Sequence, residues 1–156
     1  MFKRTRDGKR IGKISRRLIV QTRSRSFRCV HCKTDVPTNA PGTAHRNHCA
    51  ICLWSRHVDE SIGDRKSGYL SSMKPVGLTL GDSNTELMIV HMRMGCSKTP
   101  KNRVAGDDNT CAILSLFEQS LRISPEDRKA LKDADIELCD DKEEVLCTLY
   151  GKPCSF

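Results

Sequence analysis

Two cysteine pairs, CVHC at residues 29–32 and CAIC at residues 49–52, decide the fold of this chain. Each pair places two sulfurs on one tight turn, and two such turns facing each other complete a tetrahedral zinc site. Sixteen residues separate the pairs, a length in the ordinary range for four-cysteine sites. We therefore predict one structural zinc ion whose closed thiolate shell leaves no position open for catalysis. Its ligands are Cys29, Cys32, Cys49 and Cys52.

Three histidines, His45, His48 and His57, surround the second pair and leave an alternative ligand set open. His48 could replace a cysteine, although it directly precedes Cys49 and would need a different turn. We expect His57 to make hydrogen bonds near the metal or at the surface.

Composition explains why a metal would matter to this chain. Its 156 residues suit one compact domain with tails. Only 37% of the residues are apolar and 4% are aromatic, so we do not expect a large apolar core. Zinc binding would then supply folding free energy that the core does not.

The number and spacing of the cysteines indicate the cellular compartment of the protein. The nine cysteines are an odd number, and four of them lie in metal-type pairs. The N-terminus lacks the apolar run of a secretory signal. We expect an intracellular, reducing compartment. No run approaches 18 apolar residues, so we expect neither a membrane span nor a membrane partner.

Charge divides the chain into three parts. Residues 1–28 carry eleven Lys/Arg and one acid, residues 29–106 are mildly basic, and residues 107–156 carry six Lys/Arg against twelve acids. A basic arm, a mildly basic centre and an acidic tail follow one another. The predicted segments are an extended arm over residues 1–26, a zinc-ribbon domain over residues 27–109 and an acidic helical segment over residues 110–156.

The basic arm has too few apolar residues to fold alone. One hypothesis is that it orders on RNA phosphates, and the other is that it is an Arg- and Ser-rich mitochondrial targeting peptide. Under the first hypothesis, two arginines of the ribbon extend the RNA-binding surface. The predicted RNA-binding residues are Lys3, Arg4, Arg6, Lys9, Arg10, Lys13, Arg16, Arg17, Arg23, Arg25, Arg28, Arg46 and Arg56. Phe27, Trp54 and Tyr69 are the candidate stacking residues, although a core position is more usual for Trp54.

Beyond the second cysteine pair, the pattern predicts a hairpin and three helices. Residues 76–80 and 87–92 form strands joined by a turn at 81–84. A helical stripe covers residues 110–121, a capped helix begins at Ser124-Pro125, and a last helix over residues 141–150 ends at Gly151. The fold class is therefore small α+β: a zinc ribbon or knuckle with short antiparallel strands, a basic N-terminal extension and C-terminal helices.

The segment HRNHCAICLWSRHVDESIGDR, residues 45–65, resembles the RNHCP domain family of zinc-ribbon-like proteins. The family pattern runs F-x-C-x2-C, RNHCP-x-C-L-x-S-x-HVD, GDR, a cysteine, M-x-P-x-G, a second cysteine knuckle after VH, and NR-x-A-x-D. Matches run from Phe27 to about Leu121. The resemblance implies a zinc-ribbon-like fold and the first zinc site, and it brings no established catalytic activity.

The chain departs from the family pattern in one minor way at the first zinc site and in two ways at what looks like a second metal cluster. Ala50 replaces the family proline, Tyr69 stands where the cysteine after GDR is expected, and Arg93 replaces the first cysteine of the second knuckle. Only His91 and Cys96 remain. We predict that this second zinc is lost and that packing and hydrogen bonds fill its place.

Three functions remain to be weighed. We expect a non-enzymatic RNA-binding structural protein, a ribosome component or a ribosome-associated factor. It would contact rRNA through the arm and neighbouring proteins through the acidic helices, with no small-molecule substrate, in the mitochondrion of a eukaryote or otherwise in the cytoplasm. One alternative is a metal-dependent nuclease using His48 with Asp59 or Asp107-Asp108. The other is a DNA-binding regulator, although no recognition helix follows the knuckle.

Overall fold

A computed structural model describes residues 26–43, 46–56, 72–92 and 99–151 of the chain. Short antiparallel strands and three helices in these residues confirm the small α+β class. The predicted arm, apart from Ser26, lies outside the described residues. The strands are β1 (Ser26–Arg28), β2 (Asp35–Pro37), β3 (Ser55–Arg56), β4 (Ser72–Leu80), β5 (Leu87–Met92) and β6 (Lys101–Arg103). The helices are α1 (Thr110–Ser120), α2 (Pro125–Asp133) and α3 (Lys142–Tyr150).

The strands form two antiparallel sheets. β1 pairs with β2, and the larger sheet has the order β3-β4-β5-β6. Its centre is the predicted β4–β5 hairpin, which closes where the Gly81 amide donates to the Glu86 carbonyl at 2.8 Å and the Asn84 amide donates to the Gly81 carbonyl at 2.8 Å. The hairpin prediction is confirmed.

Strand β4 begins at Ser72, four residues before the predicted start at Val76. The predicted strand was too short because a proline usually ends a strand, whereas Pro75 lies within β4. Pro75 pairs with His91 of β5, and the register shifts between Pro75 and Gly77. The β3 side of β4 pairs only at Ser72 and Met73. Pro75 therefore lies past the part of β4 that β3 covers, where a missing amide donor breaks no ladder bond.

Each helix begins at a polar side chain, which the sequence predicted for α2. Asn109 accepts hydrogen bonds from the first amides of α1, Ser124 does so for α2 with Pro125 at the first helical position, and Asp141 does so for α3. Gly151 ends α3 at φ 63°, a conformation that suits glycine. Among the described helices, none is long and apolar enough to cross a membrane.

The hairpin has apolar clusters on both faces. Consecutive strand residues point to opposite faces, and Ile89 and Val90 accordingly belong to different clusters. Val90 packs with Leu131 and Ile136. The larger cluster around Ile89 joins the hairpin to α1 and α3. It consists of Leu53, Leu78, Leu87, Ile89, Ile113, Leu116, Phe117, Cys139 and Val145.

Cys139 behaves as a small apolar residue. It is buried in the larger cluster, and burial raises the pKa of its thiol to about 11. The thiol therefore stays neutral at physiological pH. Cys147 is half-buried, and Cys154 lies outside the described residues.

Candidate metal centre

The first knuckle is the turn between β1 and β2. The Cys29 amide donates to the Thr34 carbonyl at 2.8 Å, and the Lys33 amide donates to the Cys29 carbonyl at 3.0 Å. Lys33 closes this turn with φ 63°. The Cys32 amide points at the Cys29 sulfur, 3.5 Å away. The backbone thus holds both sulfurs on one side of the turn.

The second knuckle repeats this geometry. The Cys49 amide donates to the Trp54 carbonyl and the Leu53 amide donates to the Cys49 carbonyl, both at 2.9 Å. Leu53 has φ 64°, matching Lys33 of the first knuckle. The Ile51 amide lies 3.4 Å from the Cys49 sulfur. Two equivalent turns therefore face each other, as the paired spacing predicts.

The four sulfur atoms converge on one point. All lie within 4.8 Å of one another. Cys29 Sγ lies 3.5 Å from Cys52 Sγ, and Cys32 Sγ lies 3.5 Å from Cys49 Sγ. A Zn–S bond of about 2.3 Å puts the corners of a tetrahedron roughly 3.8 Å apart. The set fits a structural zinc ion, and the four thiolates leave no coordination position open.

The thiols differ in how readily they lose a proton before metal binds. Burial raises the pKa of both Cys49 and Cys52. The Thr34 hydroxyl, 3.4 Å from Cys32 Sγ, lowers the pKa of that thiol to about 6. Zinc must therefore displace protons from the buried pair, so its affinity rises with pH.

A buried polar cluster joins the second knuckle to the start of α1. His48 Nε2 donates to Asp108 Oδ2 at 2.7 Å, and the Ala105 amide donates to the same oxygen at 2.8 Å. Arg46 Nη2 lies 3.4 Å from Asp108 Oδ1 and also pairs with Asp107. We call Arg46, His48, Asp107 and Asp108 the junction cluster.

The junction cluster corrects the expectation that Arg46 contacts RNA. Its side chain is 0% exposed, and its guanidinium is committed to two carboxylates. A buried charge is stable only when it is paired in this way. Arg46 therefore joins two parts of the fold and is removed from the RNA-binding set.

His48 also has a structural position. It is not among the four converging ligands, and its ring is buried against Asp108. The nuclease hypothesis paired these residues, and the structure does bring them together. Their contact lies inside the protein, with Asp108 side-chain atoms 0% exposed. Asp59, like His45 and His57, lies outside the described residues.

His91, which survives from the family's second cluster, is held by protein groups. Its Nε2 donates to the Leu53 carbonyl at 2.8 Å, and its Nδ1 accepts from Asn102 Nδ2 at 3.1 Å. Burial lowers its pKa to about 4. Both ring nitrogens are therefore engaged in hydrogen bonds. Tyr69, Arg93 and Cys96 lie outside the described residues, so loss of the second zinc stays a prediction.

Two aromatic rings stack across the two knuckles. His31 and Trp54 have ring centroids 4.2 Å apart and ring planes 6° from parallel. His31 is exposed, and Trp54 is half-buried where a core position was expected. The stack depends on how the two knuckles face each other, and no local signal in the sequence indicates it.

Of the predicted RNA-binding residues, the structure describes few. Arg28 is exposed at the end of β1. Arg56 lies in β3, and the remaining residues of the set, apart from Arg46, lie outside the described range. The arm would enter the ribbon through β1, two strand residues before Arg28.

Comparison with known families gives a match over the central part of the chain. The family model of the RNHCP domain matches residues 24–114, more than half of the chain. The matched range contains both knuckles, the β4–β5 hairpin and the junction cluster. Comparison with curated proteins and with solved structures gives no match.

Proposed function

The chain belongs to the RNHCP domain family, and we propose that it is a non-catalytic, zinc-stabilised RNA-binding protein of the ribosome or a ribosome-associated factor. One observation carries this proposal: eleven Lys/Arg and a single acid in residues 1–28. Such a segment has little reason to order except against dense negative charge. Each phosphate it neutralises releases counterions, which gives strong and salt-sensitive affinity.

The zinc ribbon gives the arm a fixed point of attachment. Residues 1–25 lead directly into β1, whose three residues pair with β2 across the first knuckle. Metal binding orders this knuckle without a large apolar core. An arm that binds phosphates along its length therefore starts from a rigid platform that sets where it begins.

The opposite end of the chain suits a protein partner better than RNA. Acidic side chains in and around α2 and α3 face solvent and would repel phosphate. A basic neighbouring protein, of the kind common in RNA-rich particles, is the proposed contact. The exposed acids are Glu126, Asp127, Asp133, Asp135, Glu137, Asp140, Asp141 and Glu143.

The proposed location follows from the metal and the partner. Zinc thiolates persist in a reducing compartment. We place the protein on the ribosome there, in the mitochondrion of a eukaryote or otherwise in the cytoplasm. In the mitochondrial case the arm would need to remain on the mature protein to bind RNA.

The test is deletion of residues 1–25, which keeps β1 intact. RNA affinity is measured over a range of salt concentrations, and particle association by sedimentation. Each lost phosphate contact should flatten the log–log salt slope by roughly 0.7–0.9, and the protein should leave the particle at moderate salt. A matched variant keeps the arm's length but replaces its ten Lys/Arg residues with Gln; it should behave like the deletion.

Unchanged association in both variants would contradict the proposal. The acidic helices or the ribbon would then carry docking, and the arm would be better explained as a targeting segment. Tighter binding of the wild-type chain to duplex DNA than to RNA at equal salt would instead favour the zinc-ribbon regulator. Magnesium-dependent cleavage of RNA by the wild-type chain would favour the nuclease.

A further inference from the structure

We propose that the exposed face of the His31–Trp54 stack binds an unpaired RNA base. This inference rests on the proposed function and deepens it, because it adds a contact to a base where the arm contacts only phosphates. The site is the stacked pair together with Phe27 and Val30, and we call it the stacking face.

The geometry of the pair leaves room for a third ring. Trp54 covers one face of the His31 imidazole at a centroid distance of 4.2 Å, so the exposure of His31 comes from its other face and edge. A base placed there would continue a parallel stack of imidazole and indole. Stacking on aromatic side chains is how proteins bind unpaired bases, and it tolerates any sequence.

The surroundings of the pair are apolar and exposed. A small cleft beside the rings is lined by Phe27, Val30, Trp54 and Ser72. Val30 is 38% exposed. Exposed apolar side chains are ordinary singly, but Val30 borders an exposed ring stack. A planar, largely apolar ligand fits this surface.

Charge beside the stack favours a nucleic acid. Zinc with four thiolates carries a net negative charge, which by itself would repel phosphate. Arg28 precedes the knuckle and is exposed, and exposed Lys33 donates from Nζ to the Val30 carbonyl at 2.7 Å. These two cations offset that charge at the edge of the stacking face. The basic arm also enters here, so an RNA strand held by the arm would pass the stack.

A structural role for the pair predicts different behaviour. If the rings only shield the sulfurs, removing His31 should weaken zinc retention. If they bind a base, removing His31 should leave zinc in place and weaken binding only to strands that carry bases. His31 is not one of the four converging ligands, so both outcomes are measurable on the same variant.

Trp54 is the chain's one tryptophan, so its fluorescence reports on this site alone. The full chain, loaded with zinc, is titrated with an oligoadenylate RNA of about eight nucleotides, a length within the usual site size. The comparison ligand is an oligomer of the same length and charge built from abasic spacers. We expect oligoadenylate to quench Trp54 emission and to bind more tightly than the abasic oligomer, which should leave emission nearly unchanged.

The variant His31→Ala should bind oligoadenylate about tenfold more weakly, with unchanged zinc content and unchanged affinity for the abasic oligomer. His31→Phe restores a flat ring and should recover most of the affinity. Tyr150→Ala is the control, since Tyr150 is an aromatic residue 56% exposed on α3, and it should change nothing.

Equal affinity for both oligomers without Trp54 quenching would overturn the proposal that the stacking face binds a base, and it would leave the RNA-binding proposal intact. Wild-type affinity in a zinc-loaded His31→Ala variant would do the same, and zinc loss in that variant would assign the stack to shielding the metal. Failure of both oligomers to bind the wild-type chain would overturn the stacking face and the proposed function together.

Discussion

The zinc ribbon, residues 26–56, and the helix-covered sheet, residues 72–151, are stabilised by different means. Among the described residues, the buried members of the ribbon's own apolar cluster are Cys29, Val36 and Cys49. The sheet and its helices supply eight of the nine residues of the cluster around Ile89 and a second cluster around Val90. A chain with few apolar residues can therefore concentrate them in one half and order the other half with a metal ion.

The two halves meet through a few buried groups. Leu53 follows the last zinc ligand and belongs to the large cluster, and its carbonyl accepts from His91 of β5. The junction cluster ties Arg46 and His48 to Asp108. Substitutions in either half, or at the buried groups that join them, can therefore test this contrast.

Removing the metal should have the largest effect. Zinc contributes on the order of 10 kcal/mol to small cysteine modules, so Cys49→Ser should leave the ribbon unfolded. We expect the near-ultraviolet circular dichroism of Trp54 to disappear while the far-ultraviolet signal of the helices is largely kept. Cys111→Ser is the control, because Cys111 is exposed on α1 and its loss should leave zinc binding intact. A zinc-loaded, ordered Cys49→Ser variant would refute the division into halves.

Breaking the contact between the halves should lower the free energy of unfolding by less than loss of the metal does. Asp108→Ala leaves buried His48 and the Ala105 amide without their acceptor and leaves buried Arg46 with Asp107 alone, and breaking a buried pair in this way typically costs about 3–5 kcal/mol. Asp107→Ala is the matched comparison, because the Asp107 side chain is 43% exposed and Arg46 keeps its contact with Asp108; we expect a smaller loss than for Asp108→Ala. Urea unfolding of the zinc-loaded proteins gives both values. Equal destabilisation by the two substitutions would mean that burial of the junction cluster is unimportant.

Acid should also weaken the contact between the halves, because it protonates His91, whose ring donates a hydrogen bond to the Leu53 carbonyl. Burial lowers the pKa of folded His91 to about 4 from 6.5, so the unfolded chain binds the proton first as pH falls. The stability present at neutral pH is lost between pH 6.5 and 4, by about 1 kcal/mol at pH 5.5. Urea unfolding at pH 7 and 5.5, with zinc content checked, measures the loss.

The matched variant for His91 is Asn102→Asp. Its carboxylate would face Nδ1 of His91, where the Asn102 amide now donates at 3.1 Å, and should raise the pKa of that histidine. We expect the variant to lose less stability than the wild type between pH 7 and 5.5. An identical loss in both proteins would show that His91 does not control acid sensitivity.

The smallest expected effect is that of Lys33→Gly in the first knuckle, for which Leu53→Gly in the second knuckle is the comparison. Lys33 and Leu53 occupy equivalent left-handed positions, at φ 63° and 64°, where glycine avoids strain. Lys33 is exposed, so Lys33→Gly should stabilise the protein by about 0.5–1 kcal/mol. Leu53→Gly should destabilise it, because a buried leucine side chain is lost. Thermal unfolding of zinc-loaded proteins measures both, and stabilisation by Leu53→Gly would contradict the shared-core role of Leu53.

Local signals predicted the elements that local chemistry determines. Cysteine spacing predicted the knuckles, a turn of small polar residues predicted the hairpin, and the capping side chain of Ser124 predicted the start of α2. In each case the residues that decide the structure lie within a few positions of one another. The part of β4 before Val76 was not predicted, because a proline normally ends a strand. Pro75 is accommodated because β3 does not cover that part of β4, and the extent of β3 is not visible in the local sequence.

Long-range pairing could not be predicted in the same way. Arg46 was interpreted as an RNA contact because an arginine in a basic segment usually faces solvent, and its carboxylate partner Asp108 lies 62 residues later. One signal was present: the family pattern pairs its RNH segment with a later NR-x-A-x-D segment. Sequence alone does not state that the two segments touch, and the stacking of His31 on Trp54 likewise depends on the facing knuckles.

The junction cluster has a consequence for the order in which the chain folds. The zinc ligands span at most 23 residues, whereas His48 and Asp108 are 60 residues apart. Short loops close at lower entropic cost than long ones. On a growing chain the ribbon is therefore able to capture its ion before β4, β5 and α1 have been synthesised. The later segments would then assemble against an already ordered Arg46 and His48, so that zinc supply during synthesis would decide whether the rest of the protein finds its docking site.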